Sequence, residues 1–437
     1  MSFSWGVATS AYQIEGGGRL PSIWDTFTHD GDHIVDDSTG DVACDHVNRY
    51  AEDVALMAEL GVTAYRFSIS WPRVERDGTG FYDRLVDALL GRGIDPVATL
   101  FHWDLPQVSQ DDGGWQRRDT AQRFAEYADR MGRALGDRVR LWLTLNEPVV
   151  HLVYGHMWGI HAPGLHLFDD PFPVAHHQLL GHGLAVAALR GHTASPIGIA
   201  NSYSPAVAVG PDGTPESATD ADRAAALAYD ALHNRLFTDP ILLGRYPDLT
   251  AFAGHERLAG LIRDGDLDAI AAPIDALGVN YYNPFGAGAP SAGNPLPYDM
   301  RLLAGYPLTY FGWPVVPGAL RDLLVELRER YGAALPPIHV TENGCAYDDR
   351  LGPDGSCDDA DRVSYLEAHV AAVREAVAAG VDVRGYFVWS LLDNFEWAEG
   401  FTKRFGLVHV DFATQRRTPK ASYKWYRDQI ARVSWDG

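Results

Sequence analysis

The amino-acid sequence predicts an α/β protein, a single (β/α)8 barrel of the TIM type with elaborated loops at the carboxyl ends of its strands. Eight short apolar segments recur along the 437 residues, and helix-like amphipathic segments lie between them. Eight such alternations favour a parallel barrel over a doubly wound sheet. With 46% hydrophobic residues the chain can bury one large core. We therefore predict one domain over residues 1–437.

The strand candidates are short apolar runs bounded by turn residues. Most are nearly continuous rather than strictly alternating, which is typical of strands that are covered on both faces. Their length favours strands over helices, because buried helices are usually longer. In chain order they are residues 3–8, 64–68, 95–100, 141–145, 197–200, 276–280, 338–341 and 384–389.

The segments between these strands carry apolar residues at helical spacing. The clearest stripe has steps of three, four, three and four residues and consists of Val363, Leu366, Val370, Val373 and Val377. Two similar stripes lie in segments 124–135 and 320–327. Asp119 and Asp361 stand near two of the expected helix starts, so we predict them as N-caps.

Three long segments have neither pattern. They are residues 148–173, the Gly/Pro-rich stretch 283–312 and residues 344–360. Structureless segments of this length within a compact domain are usually functional loops. We therefore predict that they cover the mouth of the barrel.

Charge and cysteine content restrict the function. The chain has 36 basic and 58 acidic residues, a formal charge of −22, which argues against nucleic acid and anionic membranes as partners. Cys44, Cys345 and Cys357 are an odd number without CxxC spacing, which argues against a disulfide scaffold or a zinc site. No basic, apolar leader or long apolar run is visible. We therefore expect a soluble cytoplasmic protein.

Polar and aromatic residues gather at the predicted carboxyl ends of the strands. In a parallel barrel these ends meet at one mouth, where active sites lie. Planar rings stack on sugar C–H faces, while amides and carboxylates hydrogen-bond hydroxyl groups, so the set suits a sugar. Its members are Gln13, Arg66, His102, Trp103, Asn146, Glu147, Asn280, Tyr282, Glu342, Trp389, Glu396, Trp397 and Phe405.

Two of these residues supply what cleavage of a glycosidic bond needs. One carboxyl must protonate the leaving oxygen, and a second must attack or activate water. Glu147 follows the fourth predicted strand and Glu342 the seventh, so the barrel brings them to one mouth. Taken singly, members of the whole mouth set have ordinary alternative interpretations. Glu147 could cap a helix, His102 could be structural, and the tryptophans could be packing residues.

The sequence resembles glycoside hydrolase family 1, the β-glucosidase family. The motifs "TLNEP" (144–148) and "VTENG" (340–344) match its two signatures, and "WGVATSAYQIEGG", "YRFSISWPR", "FHWDLPQ", "GVNYYNP" and "RFGLVHVD" follow in family order. The resemblance covers nearly the whole chain. It implies a (β/α)8 barrel that hydrolyses β-glycosides with retention of configuration, without a metal or an organic cofactor. The implied partners are small β-glycosides or short oligosaccharides.

The resemblance also implies residue roles. Glu147 corresponds to the general acid/base and Glu342 to the nucleophile, with Arg66 and Tyr282 beside the nucleophile. Asn146 corresponds to the residue that bonds the sugar 2-hydroxyl. The remaining members form the implied sugar-binding set: Gln13, His102, Trp103, Asn280, Glu396 and Trp397 as polar or flanking contacts, Trp389 as stacking platform and Phe405 near the 6-position. Loop aromatics are expected on the aglycone side, namely Tyr298, Tyr306, Tyr310, Phe311 and Trp313.

Several alternatives have discriminating residues. A 6-phospho-β-glycosidase typically has serine where this chain has Glu396, and a carboxylate there would repel phosphate. Thioglucosidases lack the acid/base glutamate, and non-catalytic sugar-binding barrels lose one or both glutamates. A metal-dependent barrel hydrolase would need an HxH pair, which the chain lacks. Transglycosylation, and the choice among glucose, galactose and fucose, stay open.

One further pattern invites a metal site. His151, His156, His161 and His166 recur every five residues. Five residues correspond to about 500° of α-helical rotation, so these side chains should not share a helix face. We therefore predict no metal site there.

Overall fold

The computed structural model describes residues 3–432 and forms a closed parallel barrel. In chain order its strands are β1 (Ser4–Ala8), β2 (Ala64–Ser68), β3 (Asp95–Phe101), β4 (Leu141–Asn146), β5 (Ile197–Ser202), β6 (Ala206–Ala208), β7 (Ala276–Asn280), β8 (Phe285–Gly288), β9 (Asp299–Met300), β10 (Ile338–Asn343), β11 (Val383–Trp389), β12 (Val408–Asp411) and β13 (Arg416–Pro419). The barrel runs β1-β2-β3-β4-β5-β7-β10-β11 and closes through parallel pairing of β11 with β1. The predicted fold class is confirmed, and the ends of the eight predicted strands differ by at most two residues.

Helices connect the barrel strands and surround them. They are α1 (Ala11–Ile14), α2 (Ile23–His29), α3 (His46–Leu60), α4 (Trp71–Asp77), α5 (Gly80–Leu90), α6 (Gln107–Asp111), α7 (Arg118–Leu135), α8 (Pro148–Val150), α9 (Phe172–Arg190), α10 (Asp220–Asp230), α11 (Asp239–Leu243), α12 (His255–Leu261), α13 (Asp266–Ile270), α14 (Pro317–Tyr331), α15 (Ala360–Ala378) and α16 (Ala421–Arg432). Two π-helical turns, His151–Met157 and Ala231–Arg235, directly follow α8 and α10. None of the helices within residues 3–432 is long and apolar enough to cross a bilayer.

The three apolar stripes lie on α7, α14 and α15, as predicted, but the two N-caps are wrong. Asp119 and Asp361 lie inside the first turns of α7 and α15, and the N-cap positions are occupied by Arg117 and Asp359. An acidic side chain is favourable anywhere in the first turn because it faces the positive end of the helix dipole. An acidic residue in the sequence therefore indicates the first turn of a helix but does not show which residue is the N-cap.

Alternation along the strands separates two apolar regions. Tyr65 and Phe67 of β2 belong to the large core between strands and helices, whereas Ala64 belongs to a smaller cluster with Trp389 and Phe405. Successive strand residues point to opposite faces, so Arg66 shares the face of Ala64. A charged side chain is thereby directed into the barrel.

Two strands break this alternation just before the predicted catalytic residues. In β4, the interval from Leu143 to Asn146 pairs with only Gly198 to Ala200, so β4 contains one extra residue. In β10, Val340 and Glu342 pair with the adjacent residues of β7, Val279 and Asn280. Such irregularities are typical next to active sites, where they redirect side chains. They bring Asn146 and Glu342 to the inner face.

The prediction of a structureless segment 283–312 is wrong in part. This segment contains β8 and β9, which form a three-stranded sheet with β6. A Cβ at Gly286 or Gly288 would lie 2.1 Å from Arg301 atoms, so these glycines allow close approach of Arg301. Glycine therefore marks tight packing here rather than a flexible loop.

Gly344 offers a test of how closely β10 and β11 approach at the mouth. A Cβ there would lie 1.8 Å from the carbonyl oxygen of Trp389. We expect Gly344→Ala to lower stability by about 1–3 kcal/mol or more, because a backbone atom must move. The measurement is the midpoint of thermal or urea unfolding.

The matched control is Gly260→Ala in α12, where a Cβ would have no neighbour within 4 Å. Its stability should be unchanged or slightly raised, because alanine favours helix. Equal stability of both variants would contradict the close approach at Gly344.

Candidate active site

Glu342 is held by two strong donors on the inner face of the barrel. Arg66 Nη1 donates to Glu342 Oε1 at 2.5 Å, and the Tyr282 hydroxyl donates to Oε2 at 2.7 Å. Glu342 and Arg66 are buried, with 3% and 1% of their surfaces exposed. Both carboxylate oxygens therefore have fixed positions before any ligand binds. Tyr282 lies two residues beyond β7, so three elements contribute to this arrangement.

Glu147 occupies a strained backbone position between β4 and α8. Its φ of 43° and ψ of 55° place it in the left-handed region, and its side chain makes no capping hydrogen bond to α8. Glu147 therefore occupies the N-cap position of α8, as the alternative expected, but its carboxyl group is free of any capping role. Asn280 Nδ2 donates to Glu147 Oε1 at 3.0 Å. Trp103 and Trp397 also have positive φ, of 75° and 47°. Strain of this kind is concentrated at functional sites.

Amide groups connect the two glutamates. Asn280 Nδ2 donates to Asn146 Oδ1 as well as to Glu147, and Arg66 Nη2 donates to Asn146 Oδ1 at 2.5 Å. Asn146 Nδ2 donates to His102 Nε2 at 3.0 Å. One hydrogen-bonded network thus joins β2, β4 and β7 to the end of β3. Its members are fixed by one another, so a ligand meets a preorganised surface.

The environments of the two glutamates differ electrostatically. Burial, together with the nearby charge of Glu342, raises the pKa of Glu147 to about 8. Burial also raises the pKa of Glu342, but the Arg66 cation and the Tyr282 hydroxyl act against that rise. Different environments of paired carboxyls allow one to act as an acid and the other as an anion. The arrangement can therefore supply a proton donor and a nucleophile together.

Glu396 and Gln13 form a second polar group. Gln13 Nε2 donates to the carbonyl of Phe395 at 2.8 Å and to Glu396 Oε2 at 3.4 Å. Burial and the charges of Glu342 and Glu147 raise the pKa of Glu396 to about 8. Three carboxyl groups therefore influence one another at this mouth. Their mutual repulsion favours a neutral, hydroxyl-rich ligand over an anionic one.

Aromatic rings form one wall beside these groups. The His102 ring stacks at 5.8 Å on Trp389 and at 5.8 Å on Trp397, and Trp103 lies 4.5 Å from Trp397. Burial, with a smaller effect of Arg66, holds the pKa of His102 well below its usual range, so its imidazole is neutral. Trp103 Nε1 donates to the carbonyl of Asn146, which ties this wall to the amide network.

A second aromatic group lies near Tyr282. Phe405 makes an edge contact with Tyr282 at 6.1 Å and lies 6.2 Å from Trp313, which stacks on Phe311 at 4.2 Å. Tyr306 and Tyr310 are exposed. Tyr298 differs from the aglycone prediction because it is buried against Tyr229 and Phe285 and serves to pack the small sheet.

The structure corrects the geometry assumed for the repeated histidines. His151 and His156 lie in a π-helical turn, where residues five apart share a face, and their rings are 4.8 Å apart. The α-helical argument against a shared face is thus wrong for this pair. Within residues 3–432 no three histidine, cysteine, aspartate or glutamate side chains are arranged to hold a metal ion.

Sequence reasoning missed two residues that support the site. The Thr341 hydroxyl donates to Asn280 Oδ1 at 2.6 Å, which orients the amide toward Glu147. Arg66 Nε donates to Thr99 Oγ1 at 3.2 Å. Thr341 lies within the recognised "VTENG" motif, and Thr99 is a polar residue within the apolar run "VATLF". That contrast was the available signal.

Comparison with known proteins gives matches over the whole chain. The family model described as glycosyl hydrolase family 1 matches residues 1–434. Thermostable beta-glucosidase B of Thermobispora bispora is 48% identical over 98% of this chain and 90% of that protein. The bifunctional beta-D-glucosidase/beta-D-fucosidase of Bifidobacterium breve is 45% identical over 98% and 97%. The crystal structure of the beta-glucosidase BglU of Micrococcus antarcticus superimposes with a TM-score of 0.91, at 43% identity, covering 98% and 96%.

The raised pKa of Glu147 predicts a stability change with pH. Between its ordinary value of 4.5 and about 8, the unfolded chain binds fewer protons at this group than the folded chain. The contribution of Glu147 to the free energy of unfolding therefore falls as pH rises through that window. We expect Glu147→Gln to unfold at a higher temperature than wild type at pH 8, with the difference shrinking toward pH 5, measured by thermal unfolding. Glutamine retains the acceptor for Asn280.

The control is Glu367→Gln on α15, whose side chain is exposed and has no ion pair among residues 3–432. It should follow wild type at every pH. A Glu147→Gln difference that stays constant with pH would contradict the buried-acid interpretation.

Proposed function

Because the chain belongs to glycosyl hydrolase family 1, we propose that it is a retaining β-glucosidase that removes terminal non-reducing β-D-glucosyl residues by double displacement. The observation that carries this proposal is the anchored Glu342, bonded by Arg66 and Tyr282, together with Glu147, whose pKa is raised to about 8. The names of the relatives support β-glucosides as substrates. One relative is also named a fucosidase, which supports fucosides as further substrates.

In the first step, protonated Glu147 donates its proton to the glycosidic oxygen. A Glu342 oxygen attacks the anomeric carbon, the bond to the aglycone breaks, and a glycosyl ester forms. Arg66 stabilises the carboxylate before attack, since a cation favours the charged form. Tyr282 fixes the second Glu342 oxygen, so the attacking atom needs little reorientation.

In the second step, Glu147 acts as a base. Esterification removes the charge of Glu342, which is one of the causes that raise the pKa of Glu147. That pKa therefore falls after the first step, and Glu147 can accept a proton from water. Water attacks the anomeric carbon, the ester bond breaks, and the sugar leaves with its original configuration. Carboxyl groups and water are the only reactants these steps need.

The glycone contacts follow from the same geometry. Asn146 presents an amide within the network to the sugar 2-hydroxyl, and this hydrogen bond strengthens as charge develops at the anomeric carbon. Gln13, His102 and Glu396 are proposed to bond the other hydroxyl groups. Asn280, which holds Glu147, is proposed to act on the sugar through that carboxyl. Trp103 and Trp397 flank these groups, Trp389 is the stacking platform, and Phe405 lies toward the 6-position.

Three broader proposals accompany this function. Small β-glycosides or short oligosaccharides are the substrates, and galactosides are further candidates because the same contacts serve epimers. The chain acts as one catalytic domain. Its location is the cytoplasm, which is supported by three buried thiols that form no disulfide.

Azide rescue tests the two glutamate roles in one design. We expect Glu342→Gly and Glu147→Ala to lose most activity toward a nitrophenyl β-glucoside, about 10²–10⁴-fold for the acid/base variant. Added azide should restore the activity of both variants, but the two variants should release different products. In Glu342→Gly it replaces the nucleophile and gives the α-glycosyl azide. In Glu147→Ala it replaces water in the second step and gives the β-glycosyl azide. Product configuration is read by NMR.

The substrate panel adds galactoside, fucoside and 6-phosphoglucoside to the glucoside. Hydrolysis of only the 6-phosphoglucoside would refute the interpretation of Glu396. Identical azide products from both variants would contradict the assignment of separate roles. Sugar binding without turnover by the wild type would favour a binding barrel.

A further inference from the structure

A group of six charged residues joins the loops that follow β10 and β11 and lies outside the network described above. We call it the ion cluster; its members are Lys420, Arg362, Arg404, Asp349, Asp359 and Asp393. Three positive and three negative charges balance. The side chains of five members are at most 2% exposed, and that of Arg404 is 23% exposed. Burial of this much charge is costly unless the geometry is satisfied throughout.

Lys420 is a cation that two loops share, as is Arg362, which pairs with Asp349 and donates to the carbonyl of Arg404. Its Nζ donates to Asp349 Oδ2 at 2.5 Å and to Asp393 Oδ1 at 2.7 Å. Asp349 lies in the loop that follows β10, the strand that carries Glu342, and Asp393 lies in the loop that follows β11. Lys420 itself stands immediately before α16 and its backbone N–H donates to Leu407. The ammonium group therefore joins three separate segments.

The second of these loops carries part of the proposed sugar site. Asp393 Oδ1 also accepts from the Gly406 N–H at 2.9 Å, which connects the beginning and the end of the loop. Glu396, Trp397 and Phe405 lie between these two points. Gln13 binds the same loop through Asn394 Oδ1 and the Phe395 carbonyl. The position of Glu396 thus depends on anchors at Gln13 and at Asp393.

We propose that Lys420 is a positioning residue for sugar recognition, which holds Glu396 and Phe405 at the glycone by fixing the loop that contains them. This inference rests on the proposed function. Lys420 contacts neither Glu147 nor Glu342 through any hydrogen bond or ion pair of residues 3–432. Without its ammonium group, Asp349 and Asp393 are two buried like charges with reduced compensation, and their repulsion displaces the loop.

The expected consequence is specific to one part of the sugar. Phe405 is proposed to lie toward the 6-position, and we place Glu396 beside it because a carboxylate there would repel a 6-phosphate. The two side chains then face the hydroxymethyl group, which a β-glucoside has and a β-xyloside lacks. Lys420→Met should therefore lower kcat/KM for the glucoside more than for the xyloside, on the order of tenfold for the ratio, as for one lost buried hydrogen bond. If Lys420 had a purely structural role, Lys420→Met would lower kcat/KM for the glucoside and for the xyloside by the same factor.

A double-mutant cycle provides the decisive comparison. Glu396→Gln should reduce the same glucoside-to-xyloside ratio, and adding Lys420→Met to it should produce little further change, because the lysine acts through the loop that holds Glu396. Asp393→Asn serves as a second variant, since it keeps the volume and removes the charge through which Lys420 holds the loop of Glu396. Its glucoside-to-xyloside ratio of kcat/KM should also fall. If Lys420→Met fails to fold, this second variant takes its place in the test.

The matched control is Arg118→Met, which breaks the ion pair with buried Asp266 on α13, away from the ion cluster. It should lower stability with no change in the sugar ratio. Unchanged ratios in both Lys420→Met and Asp393→Asn, or fully additive effects in the cycle, would overturn the inference. If the wild type hydrolysed neither glycoside, the proposed function would fail first and this inference with it.

Discussion

A buried guanidinium inside the barrel is the interaction on which the candidate site depends. Arg66 on β2 donates to Thr99 on β3, Asn146 on β4 and Glu342 on β10, so one side chain joins four strands. An unpaired charge at 1% exposure would be strongly destabilising, and the surrounding acceptors compensate it. The cation therefore explains how a carboxylate can be buried at this position, and it also defines the direction in which that carboxylate points.

The remaining electrostatics follow from this pairing. Arg66 bonds Glu342 directly, whereas Glu147 has the Asn280 amide and no bonded cation in the described chain. Burial then acts on Glu147 with less opposition and raises its pKa to about 8. The difference between a paired and an unpaired carboxyl is the physical basis of the proposed acid and nucleophile roles. A similar principle operates in the loops that follow β10 and β11, where the ion cluster compensates the charge of Asp393 and anchors the loop of Glu396.

Much of this organisation could be predicted from the sequence, because strands and helices have local signals. The barrel strands are recognisable as apolar runs, and the polar residues at their predicted carboxyl ends are the ones that the structure brings together. The direction of Glu342 could not be predicted in this way. Strict alternation from Ile338 and Val340, which pack in the outer core, would turn Glu342 outward. The extra residue in β10 reverses it, and that irregularity depends on pairing with β7 and β11. The sheet that β8 and β9 form with β6 likewise depends on pairing between segments distant in the chain.

The most direct test of the double displacement is to trap its covalent intermediate. A 2-deoxy-2-fluoro-β-glucoside with a good leaving group slows both steps through the electron-withdrawing fluorine, while the leaving group keeps the first step faster than the second. We expect the intact mass to rise by one fluoroglycosyl unit per chain, and peptide mapping to locate it on Glu342. Hydrolysis of ordinary glucosides without any adduct, or an adduct on Glu147, would contradict Glu342 as the nucleophile.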